Sequence, residues 1–514
     1  MPVANKECVR GDGGVSCGPC PQFRHVVVVG NGPSAITLSF MLSGHWPQYN
    51  GNPVADPCLQ LRLDDTKDFS LMELNLEELS EGLSGRSRNP VSVLYDALTH
   101  PDADLGMTNP SRHLTREALL SRQSVHHEPF PFGPPRTAMD GSILTLSFGT
   151  WMELPDSDFM TFCDGAKRPT VSTVARILLE ASGMTSSRRR SLSARREVAS
   201  VAASPLCMAQ QAPGVINSCR RRRSVSVSAS TLDNDSPYVW EVRGYRELDV
   251  EDDGDGDDGA RVPFTFVTPN VVLATGTTDS KNRLNVPGED LDFVMHSLAR
   301  VEDWLANKRT WDDLPLVVIG AGLTAADAIV AAMSAGVDVY HVFRRDPLDP
   351  RVIFNNLPAS LYPEYHRVHA LMTKRLVEPG YRGFSKCKVI GIRPSGHVLV
   401  ECENGCGKIK AGAVAALIGS KPNLEFMGRL KNNLGVVPGL ALDSKVNVFD
   451  GDPFSHESNS FPGLYALGPL VGDNFVRFLQ GGALAVAAAV HRKKQHQQLQ
   501  QRPSSSSSSG GTTY

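Results

Sequence analysis

Two glycine turns are the residues whose types and spacing best fit a chemical task, and that task is holding phosphate. Gly30-x-Gly32-x-x-Ala35 and, 290 residues later, Gly320-x-Gly322-x-x-Ala325 both match the G-x-G-x-x-G/A pattern. The first glycine permits a tight bend. The second lets the backbone approach a pyrophosphate, and the small third residue keeps the helix close to its strand. The positive end of the helix then faces the anion.

The two turns are not equivalent. An acid about 20 residues past the middle glycine, at the end of the next strand, would bind the ribose of NAD. At that place in the second unit stand Arg344 and Arg345, the first of them 22 residues past Gly322. Paired guanidinium groups suit a 2′-phosphate, so this site is expected to prefer NADPH. In the first unit the ribose partner is less clear, with Asp64 and Asp65 as candidates after the alternating segment Leu59 to Leu63.

Other groups are weaker candidates. Leu273-Ala274-Thr275-Gly276, followed by Val286-Pro287-Gly288, reads as a buried strand and a passage between domains. His296 by itself designates no general base, so no catalytic residue is named. Cys17-Gly18-Pro19-Cys20 lacks the strand before and helix after that lower a thiol pKa. Cys402 and Cys406 have no further His or Cys at zinc spacing, and no metal site is expected. The arginine clusters carry no interleaved aromatics, which argues for a solvated loop over a nucleic-acid surface.

The elements that must position these turns can be read from hydrophobic runs. Phe23 to Val29 ends in four valines and leads through the first turn to an apolar helix, Ser34 to Leu42. Such a β-branched run predicts a parallel strand buried on both faces. Leu316 to Ile319, the helix Leu323 to Met333 and the strand Val337 to Phe343 repeat the arrangement. Further strands are expected at Asn270 to Ala274, Val398 to Cys402, Ala413 to Ile418 and Gly463 to Leu467, with a helix at the end of GPLVGDNFVRFLQGGALAVAAAV.

This order predicts an α/β fold with two dinucleotide-binding domains, a Rossmann-like FAD domain interrupted by an inserted NADPH domain. The expected divisions are a leader over 1–21, FAD domain over 22–300, NADPH domain over 313–410, FAD domain again over 411–492 and a disordered tail over 493–514. Segments 185–235, rich in Ser and Arg, and 251–259, EDDGDGDDG, are expected to be mobile insertions.

With 514 residues the chain can bury a large cofactor, and 52 basic against 55 acidic residues give no bias toward nucleic acid. The N-terminus lacks a signal-peptide core and no run reaches a membrane span's length, so a cytoplasmic protein with reduced cysteines is expected.

Taken together, GNGPSA, LEELSEGLSGR, NPVSVLYDALTHPDAD, LTLSFGTWMELP, GAGLTAADA, HVFRR, LPASLYPEYH and ALGPLVGDNFVRFLQGGAL resemble the oxidative stress-induced growth inhibitor family, itself similar to class B flavin monooxygenases. The resemblance implies NADPH-dependent monooxygenase activity, a role in restraining growth, in cell death and in cytokinesis, protein partners in those processes, and a place in the cytoplasm and at the midbody. It carries Gly30, Gly32, Ser34 and Ala35 onto the FAD turn and Gly320, Gly322 and Ala325 onto the NADPH turn. Thr275, Gly276 and Thr324 join the cofactor-binding set, with Gly468, Asp473 and Asn474 in the segment that closes over the flavin. One departure stands out: the family's Gly-Gly-x-Trp stretch is replaced by Gly133-Pro134-Pro135-Arg136-Thr137-Ala138-Met139-Asp140-Gly141, which would loosen the flavin.

The leading expectation is hydride transfer from NADPH to FAD and then oxygenation of a small molecule through a flavin C4a-hydroperoxide. A nucleotide-binding regulator acting through protein partners is the alternative. A disulfide oxidoreductase is the third, disfavoured because the one CxxC precedes the first strand.

Overall fold

The computed structural model describes residues 21–30, 32–66, 68–101, 103, 114–118, 127–129, 196–205, 238–247, 261–307, 314–403 and 405–500. The leader up to residue 20, the acidic 251–259 stretch and the 133–141 segment lie outside them.

The four valines Val26–Val29 form a strand, parallel to Val271–Leu273 on one side and to His127–Pro129 on the other. Leu464–Ala466 completes a four-stranded parallel sheet beyond Val271–Leu273. The pleat explains why the valine run is unbroken. Val26 and Val28 enter a core with Leu38, Leu42, Leu94 and Leu484, while Val27 and Val29 enter another with Trp240, Leu424 and Phe449. Both faces are covered, so every position must be apolar. Burying each valine contributes roughly 1.5–3 kcal/mol.

The second unit repeats this logic in a five-stranded parallel sheet ordered Val294–Met295, Ala413–Ala416, Leu316–Ile319, Val339–Phe343, Tyr381–Ser385. Leu316 and Val318 pack with Ala325, Ala328 and Ile329 of the helix Leu323–Ser334. Val317 and Ile319 pack with Val389, Val398 and Val400 of an antiparallel sheet laid on the other face, formed by Cys387–Ile392, His397–Cys402 and Gly405–Lys410.

The chain passes between the sheets twice, and the crossings pair with each other: Ser280–Lys281 runs antiparallel to Ser420–Lys421. The exit expected near 300 is thus near 281, because Val294–Met295 already belongs to the second sheet. The return expected near 411 comes near 420, because Ala413–Ala416 is that sheet's second strand. Hydrophobicity marks a strand but does not say which sheet accepts it.

Four further expectations are corrected. Residues Arg196–Pro205, inside the stretch read as a mobile insertion, form a strand antiparallel to Tyr238–Glu247, which pairs in turn with Arg261–Thr268. The Ser- and Arg-rich composition of the whole stretch concealed the short run EVASVAAS. The first part of the tail expected to be disordered over 493–514, up to Gln500, continues the helix Leu479–Gln500, and 501–514 lie outside the described residues. Lys493 anchors that extension by donating to Glu457 Oε1 at 2.5 Å. Leu59 to Leu63 belongs to a helix, Pro57–Asp64, started by Pro57 and by Asp56, whose carboxylate accepts from Leu59 N at 2.8 Å. Leu59 and Leu63 share its buried face; an L-x-L-x-L run satisfies the i, i+4 helical spacing as well as strand alternation.

The fourth concerns the cysteines, all expected to be reduced. Cys387 and Cys402 are directly opposite in the antiparallel sheet and form a disulfide. It closes a loop of sequence separation 15, which corresponds to about 3 kcal/mol of lost unfolded-state entropy. Replacing both cysteines by Ser should lower the second domain's stability by that order in chemical denaturation. A dithiothreitol-treated protein should unfold like the double variant. Identical transitions with and without reductant would show that the bond does not form in solution.

Two candidate dinucleotide sites

Each glycine turn sits where a parallel strand becomes a helix, and each is pressed against a neighbouring backbone. Gly30 has φ +134°, and a Cβ there would lie 2.3 Å from the Ala274 carbonyl oxygen. Gly320 has φ +130°, and its Cβ would lie 2.2 Å from the Leu417 carbonyl oxygen. No side chain fits at either position. The opposing carbonyls belong to equivalent places, the ends of Val271–Leu273 and Ala413–Ala416. The two domains thus use one device twice.

Gly32 and Gly322 differ from them. Among the described residues, apart from chain neighbours and the helix's own backbone, nothing lies within 4 Å of a Cβ built at either residue. The open side of each turn faces the first turn of the helix, Pro33–Leu42 or Leu323–Ser334. In neither helix does a side chain cap the N-terminus or an acid occupy the first turn. Uncapped N–H groups and an uncompensated helix dipole suit an anionic ligand. Thr275 adds a buried hydroxyl with no hydrogen-bond partner among the described residues, directly after the Ala274 carbonyl that meets Gly30. Buried hydroxyls are rarely left unpaired, and a ligand or water would satisfy this one. These features fit dinucleotides at both turns.

The structure brings most of the expected residues together. Gly30, Ser34 and Ala35 lie on one strand–turn–helix, with Thr275 and Gly276 at the end of the adjoining strand. Gly468 joins them from the C-terminal segment, since a Cβ on it would come 2.6 Å from Ser34 Oγ. Asn474 is exposed, its amide donating to the Gly472 carbonyl at 3.0 Å. Asp473 is buried. It accepts from Ser87 Oγ at 2.5 Å and Ser92 Oγ at 2.7 Å, which ties this segment to the helix Pro90–Thr99. Asp64 and Asp65 end a helix and do not follow the strand next to Val26–Val29. That strand is His127–Pro129, and the chain beyond it lies outside the described residues.

In the second unit Gly320, Gly322, Thr324 and Ala325 form the turn and first helical turn, while Arg344 and Arg345 stand exposed after Val339–Phe343. The carboxylates that follow them have partners of their own. Arg351 donates to Asp349 from Nε at 3.0 Å and Nη2 at 2.7 Å, holding that carboxyl down to about 2, and Lys386 Nζ lies 3.7 Å from Asp346.

Two residues that hold the second turn went unread in the sequence. His341, on the strand next to the turn, is buried, with Nε2 2.5 Å from the Gly320 carbonyl oxygen and Nδ1 2.9 Å from Tyr381 Oη. A histidine in the run Val-Tyr-His-Val-Phe was the one available signal. His296 lies 3.8 Å from Glu289 Oε1, and Glu289 accepts from Leu284 N and Asn285 N, both at 2.7 Å, so it orders the loop after the first crossing. Among the described residues no group of three or more His, Cys, Asp and Glu could hold a metal, and no helix is long and apolar enough to cross a membrane.

A family model described as pyridine nucleotide-disulphide oxidoreductase matches residues 197–489. The chain is 36% identical to human oxidative stress-induced growth inhibitor 2 over 90% of its own length and 92% of that protein's. It is 38% identical to mouse oxidative stress-induced growth inhibitor 1, with coverages of 90% and 94%. Among solved structures it is similar to a bacillithiol disulfide reductase from Bacillus cereus, with TM-score 0.49, 16% identity and coverages of 92% and 100%.

Asp473 provides a test of the clamp at the first site. Burial raises its pKa to about 6, against the opposing pull of hydrogen bonds from Ser87, Ser92 and Asn89. The folded state therefore holds this proton more tightly than the unfolded chain, and stability falls as pH rises from about 4 through about 6. Asp473→Asn removes that dependence. In denaturation across this range the variant should gain on the wild type, by at most about 3 kcal/mol, with no further change above pH 7. A constant difference across the range would show that the carboxyl ionises normally.

Proposed function

The chain belongs to the oxidative stress-induced growth inhibitor family, within the pyridine nucleotide-disulphide oxidoreductases, and we propose that it is an FAD-dependent monooxygenase that draws its electrons from NADPH. The observation that carries this reading is the repeated turn, with one glycine closed against a carbonyl and the next open beside an uncapped helix. The difference between the copies supports the assignment of cofactors. Arg344 and Arg345 give the second turn a partner for the 2′-phosphate of NADPH, leaving FAD to the first.

The residues' work in such a reaction is binding and placement. Ser34, Ala35 and the helix behind them would hold the FAD pyrophosphate, with Thr275 and Gly276 beside it. Gly320, Gly322, Thr324 and Ala325 would hold the NADPH pyrophosphate. The flavin, when bound and reduced, supplies the reaction with oxygen, so the protein needs no catalytic triad. The second crossing, Ser420–Lys421, follows directly on the segment that closes over Gly320, so the NADPH turn lies beside the connection to the FAD domain.

Among the described residues Cys387 and Cys402 are bonded to each other across the antiparallel sheet, and Cys58 and Cys406 are exposed on a helix and on an outer strand. None lies on a strand or turn that forms the FAD site. The names of the relatives support a place in growth control, and we extend that role to this chain as part of the same proposal.

Purified protein should be yellow or become so with added FAD, oxidise NADPH in air and release hydrogen peroxide when no substrate is oxygenated. A colourless protein that takes up no FAD and leaves NADPH untouched would sink the enzyme reading. Arg344→Ala with Arg345→Ala should weaken NADPH at least tenfold, as expected for loss of charge-assisted contacts worth about 1.5–3 kcal/mol, and leave NADH nearly unchanged. Equal weakening of both nucleotides would reject the 2′-phosphate assignment.

A further inference from the structure

The contact between His341 and Gly320 has a directional consequence for the second turn. A carbonyl oxygen can only accept, so the proton lies on His341 Nε2 and is donated to Gly320 O. Burial holds His341 neutral, which leaves Nδ1 as an acceptor for the Tyr381 hydroxyl. Tyr381 Oη–H, His341 and Gly320 C=O thus form one donor-to-acceptor chain running across three adjacent structures: the strand Tyr381–Ser385, the strand Val339–Phe343 and the turn.

Gly320 is held at its other end too, where its N–H donates to the Val342 carbonyl at 3.1 Å. Among the described residues all peptide bonds are trans. In a trans peptide the C=O and N–H point in opposite directions. Fixing Gly320 C=O toward His341 therefore aims the N–H of Ala321 the other way, away from the imidazole. Without the imidazole donor the plane could rotate and present an oxygen, with its partial negative charge, to an anion.

Resting on the nucleotide reading above, we infer that His341, backed by Tyr381, is a positioning residue that sets the Gly320–Ala321 peptide plane so that its N–H meets the pyrophosphate of the nicotinamide nucleotide. Pyrophosphate is common to NADP and NAD, so the relay governs affinity for both. Arg344 and Arg345, three and four residues further along the chain and just past the strand, govern the choice between them.

The test is titration of the full-length, FAD-loaded protein with NADP+ and NAD+ separately. His341→Met, of similar bulk but without a donor, should weaken both nucleotides about tenfold and leave their ratio unchanged, the size expected for one lost buried hydrogen bond. His341→Gln, whose amide can donate where Nε2 does, should stay within about threefold of wild type. Tyr381→Phe keeps the packing and removes only the hydroxyl, so it tests the relay even where Met at 341 fails to fold; it should weaken both nucleotides alike by about threefold.

FAD content should not track these changes. Unchanged binding in His341→Met, loss confined to NADP+, or an equal loss in His341→Gln would each overturn the relay. A wild-type protein that binds neither nucleotide would overturn the nucleotide reading itself, and this inference with it.

Discussion

The structure depends on a backbone-to-backbone contact that no side chain can enter. At Gly30 and at Gly320 the strand turns into its helix with the Cα set against the carbonyl at the end of the neighbouring strand. That contact fixes how the helix leaves the sheet, and so where its N-terminus points. Adding a methyl group at either place would drive a Cβ to within 2.3 Å of a carbonyl oxygen, and the turn would have to open. Burial of the helix against the sheet then follows: Ala35, Leu38 and Leu42 pack on Val26 and Val28 only because the helix begins so close to them.

The features written in consecutive residues were legible in the sequence. A run of valines, a glycine pair two apart and an apolar helix occupy the seventeen adjacent positions Val26 to Leu42, and their physics is local. The parallel strand Val339–Phe343 ending at Arg344 could be placed for the same reason. What could not be read was set by distant partners. Nothing within ECENGCG says that Cys402 faces Cys387, since that depends on the register of two antiparallel strands. Similarly, Asp473 draws its hydrogen bonds from Ser87 and Ser92, more than 380 positions away. The alternating reading of the segment before Asp64 and Asp65 missed a helix because two periodicities share the spacing of Leu59, Leu61 and Leu63. Asp56 and Pro57, a helix-starting pair, were the local signal that separates them.

The two dinucleotide units share a plan but are closed differently. The second turn is braced from within its own domain, by His341 and Val342 on the adjoining strand. The first is braced by a segment that returns from the far end of the chain, where Gly468 lies against Ser34 and Asp473 reaches the helix Pro90–Thr99. The inserted domain can therefore complete its turn from residues between the two crossings, whereas the outer domain cannot finish its site until the chain has passed through the insertion and come back.

That asymmetry assigns weight to the C-terminal segment. Asp473 is almost fully buried, and an ionised carboxylate in that position is costly unless hydrogen bonds satisfy it. Its hydroxyl partners lie on and just before Pro90–Thr99, and Leu94 and Leu98 of that helix share a core with Ala483, Leu484 and Val486 of the final helix. A shift of either helix would break the Asp473 hydrogen bonds, and losing them would uncouple Gly468 from the helix start at Ser34. The final helix therefore backs, through the core it shares with Pro90–Thr99, the segment that meets Ser34, and its continuation to Gln500 is fastened by Lys493 to Glu457.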